Sequence, residues 1–68
     1  MTLHDAIQIV LNNNRSSMTT IEIAKELNNN KLYQKKDGSP ITAFQIHGRT
    51  KNYPDLFIRS GSTVSLKV

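Results

Sequence analysis

Long polar side chains are concentrated in residues 42–54, TAFQIHGRTKNYP. In the DNA major groove, arginine and lysine can bond guanine, and glutamine and asparagine can bond adenine. These residue types, close together in one segment, predict contacts with nucleic acid. The predicted contact residues of the segment are Gln45, His47, Arg49, Lys51 and Asn52. The alternative is an ordinary solvated helix face, since exposed helix surfaces are generally polar.

The cations of the chain lie mainly in its second half. Residues 1–30 carry two cations against three acids, a net charge of −1, whereas residues 31–68 carry seven cations against two acids, a net charge of +5. A basic half of this kind favours a polyanionic partner. Lys35, Lys36 and Arg59 are predicted to contact phosphates. Thr42, with the free amides beside it, is predicted to bind a phosphate at a helix N-terminus.

Three helices are expected to position these side chains, and each has a start signal. A threonine is followed three residues later by an acid or a glutamine, the pattern of a capping box, in Thr2 with Asp5, Thr19 with Glu22 and Thr42 with Gln45. Apolar periodicity predicts helices over about residues 3–13, 20–29 and 43–53. The run LNNN ends the first two helices, because asparagine tolerates the left-handed conformation. Tyr53-Pro54 ends the third.

The last part of the chain has the pattern of a β-hairpin. Residues 56–67 contain two apolar-rich runs around the turn Ser60-Gly61-Ser62, and Val64, Leu66 and Val68 alternate with polar residues. Residues 16–18 are predicted to be a short extended bridge. The order helix, short strand, helix, helix and hairpin predicts one α+β domain over residues 1–68, mostly α. This is the layout of a winged helix-turn-helix with a two-stranded wing.

The third helix has a buried side and a free side, because successive residues turn by about 100°. Its predicted buried stripe is Ala43, Ile46, Thr50 and Tyr53. On the free side, Phe44 either folds onto the connector near Leu32 or Tyr33, or packs on a thymine methyl group or a flipped base. Gly48 costs a helix about 1 kcal/mol relative to alanine. It is either a site of close helix packing, a tolerated weakness, or a point where the backbone approaches a phosphate or base.

The connector between the second and third helices is residues 31–41. Its sequence contains the turn signals Asp37-Gly38 and Ser39-Pro40. The three apolar residues Leu32, Tyr33 and Ile41 are predicted to hold it against the core.

Catalysis has little support in the sequence. The chain has no cysteine, which excludes disulfides, thiolate catalysis and zinc fingers. Its five acids are scattered, with no metal-ligand spacing and no phosphate loop. We therefore expect neither an enzyme nor a cofactor or metal site. No apolar run approaches the length of a membrane span or a signal peptide, so we expect a cytoplasmic protein without a membrane partner.

The sequence resembles the HARE-type winged helix-turn-helix family over residues 3–66. The resemblance lies in DAIQIVL, MTTIEIAKEL, LYQKKDGSPITAFQIHGRTKNYPDLF and the closing hairpin. It implies a DNA-binding module, as in restriction-modification proteins, Asx-like chromatin proteins and the delta subunit of bacterial RNA polymerase. Within this pattern, Arg49 matches a recurrent basic position, and Tyr53, Leu56 and Phe57 match core positions.

Residues and resemblance together predict a DNA-binding module that places its third helix in the major groove of double-stranded DNA. A bacterial restriction-modification or transcription-related protein is the expected setting. The alternative is an adaptor of the same fold that docks a protein partner such as RNA polymerase, or recruits an effector domain. Phe44 and Ile21, both outside the inner stripes of their helices, favour that alternative.

Overall fold

Each helix of the protein begins at a capping threonine. In the computed structural model, which describes residues 1–67, α1 spans Leu3–Asn14, α2 spans Thr20–Asn30 and α3 spans Ala43–Lys51. At each start the threonine side chain accepts a hydrogen bond from the third helical amide. The side chain of that third residue accepts one from the threonine amide in return. The three predicted capping boxes, at Thr2, Thr19 and Thr42, are confirmed.

The helix ends differ from the prediction. α1 and α2 include all three asparagines of their LNNN runs, and the left-handed residues are the next ones, Arg15 (φ 59°) and Lys31 (φ 52°). The expectation that an asparagine takes this conformation is therefore wrong by one residue. α3 ends at Lys51, two residues earlier than predicted. The amide of Tyr53 bonds the carbonyl of Thr50, three residues back, and this tightens the last turn.

The hairpin belongs to a three-stranded antiparallel sheet. β1 spans Met18–Thr19, β2 spans Phe57–Ser60 and β3 spans Thr63–Leu66, in the order β1-β3-β2. Met18 lies opposite Val64, so the predicted two-stranded wing is corrected to three strands. Two residues are too few to produce an alternation signal, which is why the sequence indicated only an extended bridge. Val68, included in the predicted alternation, lies outside the described residues.

The tip of the hairpin is attached to the start of α2. Gly61, with φ 62°, is the first residue of the two-residue loop between β2 and β3, where this turn needs a positive φ. The carbonyl of Ser62 accepts a hydrogen bond of 2.9 Å from the amide of Thr20. The hairpin is therefore short and fixed at its tip.

One apolar core lies between the helices and the inner face of the sheet. Its members are Leu3, Ala6, Ile7, Val10, Leu11, Met18, Ile23, Ala24, Leu27, Ile41, Ile46, Phe57 and Val64. Full burial of one large aliphatic side chain stabilises the fold by about 1.5–3 kcal/mol. α1 and α2 supply eight of these side chains, at the helical spacing that the apolar periodicity indicated. The result is a small compact α+β domain with three helices and a three-stranded sheet.

The connector is held by both apolar and polar contacts. Ile41 is in the core, and Leu32 and Tyr33 pack against it half-buried, so the predicted contacts of the connector are confirmed. Asn28 adds a contact that the sequence analysis missed. Its side chain donates to the carbonyl of Ile41 and accepts from the amide of Ile41, both at 2.9 Å. This pair of bonds fixes the chain one residue before the cap of α3.

Candidate nucleic-acid interface

α3 packs against the core through one side. Ile46 is 0% exposed and Thr50 is 1% exposed. The buried Thr50 hydroxyl donates to the carbonyl of Ile46 at 2.9 Å, so it is satisfied within the helix. The predicted inner stripe is otherwise half-buried, at Ala43 and Tyr53.

The opposite side of α3 is free of the core. We call it the α3 outer face, and its residues, all exposed, are Phe44, His47, Gly48, Lys51 and Asn52. It contains three of the predicted contact residues, His47, Lys51 and Asn52. Phe44 is 84% exposed, so the expectation that it folds onto the connector is wrong. A Cβ atom at Gly48 would meet nothing within 4 Å, which removes close packing within the protein as the reason for this glycine.

Gln45 and Thr42 are engaged with each other at the start of α3. The Gln45 Oε1 atom accepts from the Thr42 amide at 3.0 Å and from its hydroxyl at 3.3 Å, and the Thr42 Oγ1 atom accepts from the Gln45 amide at 3.3 Å. Bidentate recognition of adenine uses both the oxygen and the nitrogen of an amide side chain. Gln45 can do this only by leaving the capping box, so the structure gives it a helix-starting role.

Arg49 lies on the flank of α3 that faces α1. It is half-buried, and its Nη1 atom lies 3.4 Å from the Nδ1 atom of His4. The His4 ring stacks on Tyr53, with ring centroids 4.1 Å apart and an angle of 27° between the planes. These three residues form a cluster that joins the start of α1 to the end of α3. Sequence reasoning missed it, because the contact spans 45 residues without a local signal.

Arg59 joins the sheet to α3. Its Nη2 atom lies 2.7 Å from Nδ1 and 2.8 Å from Nε2 of His47. Because only an unprotonated ring nitrogen accepts a hydrogen bond, at most one of these two contacts is a hydrogen bond. The Nε atom of Arg59 is buried without a hydrogen-bond partner in the described part of the chain. The structure therefore brings two predicted contact residues together at one edge of the α3 outer face.

Lys35 and Lys36 lie in a turn of the connector that also contains an acid. The carbonyl of Lys35 accepts from the Gly38 amide at 2.9 Å, and Lys36 is exposed. The hydroxyl and the amide of Ser39 donate to the carboxylate of Asp37 and lower the pKa of that group. The ionised Asp37 offsets one of the two lysine charges, so this turn is a weaker anion site than the sequence suggested.

Within residues 1–67, no group of three or more His, Asp or Glu side chains is arranged to hold a metal ion. None of the helices formed by those residues has the length and apolarity that a membrane crossing requires. No protein-family model matches the chain, and no curated protein and no solved structure matches it.

Proposed function

We propose that the chain is a non-enzymatic DNA-binding module of the winged helix-turn-helix type, with α3 in the major groove of double-stranded DNA. The order of helix, strand, helix, helix and hairpin supports this layout. The resemblance to HARE-type domains supports it too, and it suggests a cytoplasmic bacterial protein of restriction-modification or transcription. The third strand pairs with the wing and leaves the order of the elements unchanged.

The observation that carries the proposal is the α3 outer face. α3 packs on the core through Ile46 and Thr50, and its opposite side is exposed, with His47 at its edge in contact with Arg59. The helix contains two cations and no acidic residue. The major groove is wide enough for one α-helix. A helix that packs on the core through one side and carries positive charges without an acid suits the negatively charged major groove.

The structure refines the roles that the sequence predicted. Lys51 and Asn52, exposed at the end of α3, are the proposed base-edge or phosphate contacts. Lys36 and the contacting pair of His47 and Arg59 are the proposed phosphate contacts beside the helix. Arg49, Gln45 and Thr42 are engaged in contacts that position α3. The bond of Lys35 is made by its backbone carbonyl, so its ammonium group stays a proposed phosphate contact beside Lys36.

The salt dependence of duplex binding tests this proposal. Each phosphate that a cation neutralises contributes about 0.9 to the slope of log affinity against log salt concentration. Replacing Lys36 and Lys51 together by alanine is expected to reduce that slope by about two. The measurement is fluorescence anisotropy of a labelled mixed-sequence duplex over a series of salt concentrations.

Lys25→Ala is the matched control, because Lys25 is exposed on α2 and carries the same charge. It is expected to leave the slope unchanged. A double variant with an unchanged slope, or a control with an equal loss, overturns the assigned face. Binding that does not weaken with added salt in the unmodified protein overturns DNA binding itself.

A protein-docking adaptor is the second candidate, and two exposed apolar side chains favour it. Phe44 is 84% exposed and Ile21 is 70% exposed. Phenylalanine is enriched in protein–protein interfaces relative to the rest of the protein surface. An NMR titration with duplex DNA separates the two functions. Shifts in residues 42–52 support the DNA-binding module, and their absence supports the adaptor.

A further inference from the structure

Phe44 occupies the part of α3 that would enter a groove first. It is the second residue of the helix, after the cap at Thr42. In helix-turn-helix proteins the N-terminal residues of the recognition helix contact the base edges. The 84% exposure of Phe44 means that its ring has no role in the core of this protein. Its apolar surface is therefore available for an apolar group of the partner.

Two further residues of the α3 outer face follow Phe44 along one stripe. Gly48 is four residues after it and Lys51 seven, and these spacings place side chains on the same side of a helix. The space above Gly48 is open, so the backbone there can come closer to a partner than at any residue with a side chain. Along the axis, Phe44 and Lys51 are about 10 Å apart.

We propose that Phe44 contacts the C5 methyl group of a thymine in the major groove, and that the protein thereby prefers duplexes containing thymine. This inference rests on the proposed function. The thymine methyl is the apolar group that base pairs present in that groove, and phenylalanine is one of the side chains that contact it. Lys51, about 10 Å further along α3, supplies a positive charge that attracts the DNA phosphates.

Two duplexes that differ only in this methyl group test the assignment. The probes are a hairpin of alternating adenine and thymine and the same hairpin with deoxyuridine in place of thymine. We expect the unmodified protein to bind the deoxyuridine hairpin about fourfold more weakly, the factor that corresponds to one buried methyl group. Phe44→Ala is expected to bind both hairpins equally, and Phe44→Leu to keep a preference for thymine.

Ile21→Ala is the matched control, since it removes another highly exposed apolar side chain, 70% exposed, from α2. It is expected to keep the full preference. Equal binding of both hairpins by the unmodified protein, or an undiminished preference in Phe44→Ala, overturns the role of Phe44. Salt-dependent binding in those same titrations then leaves the proposed function standing. If neither hairpin binds at low salt, both proposals are wrong.

Discussion

Helices α2 and α3 are alike on the side that faces the core and different on the side that faces outward. Both begin in a capping box, and both contain an isoleucine that is 0% exposed, Ile23 in α2 and Ile46 in α3. Outward, α2 mixes two acids with one lysine. α3 has cations without an acid, an exposed phenylalanine and a glycine in its middle.

The difference between the outward sides of α2 and α3 distinguishes residues that the fold requires from residues that it does not require. The outward side of α2 is largely that of a solvated helix, with glutamates and a lysine that favour the helix, although it also exposes Ile21. α3 instead contains Gly48, which weakens a helix, and exposes Phe44 to water. No contact within the described residues requires either of them. Under the proposed function, contact with DNA accounts for their presence on the same face as Lys51.

The largest expected effect tests the side on which the two helices agree. Ile23→Ala and Ile46→Ala are each expected to lower the free energy of unfolding by about 3 kcal/mol, since both remove a fully buried side chain. Urea unfolding followed by circular dichroism measures the change. Ile→Val at the same positions, at about 1 kcal/mol, provides the comparison if an alanine variant is unfolded. A small loss at Ile46 alone would mean that α3 is not held through this side.

The next effect, at Gly48, tests the side on which the helices differ. Gly48→Ala is expected to raise the free energy of unfolding by about 1 kcal/mol, because the residue is helical and the added methyl group meets open space. Under the proposed function the same change weakens duplex binding, since it holds the backbone away from the DNA. Stability and affinity would thus change in opposite directions.

Asn29→Ala provides the control for Gly48→Ala, as Asn29 is an exposed residue of α2 and alanine is also the better helix former there. It should stabilise the protein without changing affinity. If Gly48→Ala stabilises the protein and binds DNA as well as before, the glycine is a tolerated weakness and not part of an interface.

Local sequence patterns predicted the helices but did not predict the contacts between residues that are distant in the sequence. The capping of α2 by Thr19 and Glu22 depends on residues three apart, and the burial of Ile46 and Thr50 follows from helical periodicity. By contrast, the pairing of β1 with β3 has no local signal, because a two-residue strand carries no periodicity.

The candidate site shows the same division. Residue types and helical periodicity predicted the outward side of α3, including Lys51 and Asn52. They also assigned Arg49 to that side, although it contacts His4 on the opposite end of the sequence. For Phe44 the sequence left two alternatives, packing on the connector or contact with a partner, and the structure shows that it does not pack on the connector. Only the packing of whole elements decides such cases.

The smallest expected effect concerns the capping boxes of α2 and α3, which use Glu22 and Gln45 at the same position. Gln45→Glu is expected to raise the free energy of unfolding by about 0.5 kcal/mol, because a carboxylate favours the positive end of a helix. The reciprocal change Glu22→Gln is expected to lower it by a similar amount. Thermal unfolding at low salt measures both, and added salt should reduce both effects.

The same pair of variants differs in its effect on DNA. A carboxylate at position 45 lies in the first turn of α3, the end that enters the groove in the proposed function, and is expected to weaken duplex binding by charge repulsion with the phosphates. Glu22→Gln removes a negative charge from α2 and is not expected to weaken it. Equal binding by Gln45→Glu and the unmodified protein would place the start of α3 away from the phosphates. Because the stability of Gln45→Glu should increase, a loss of binding in this variant cannot be attributed to unfolding.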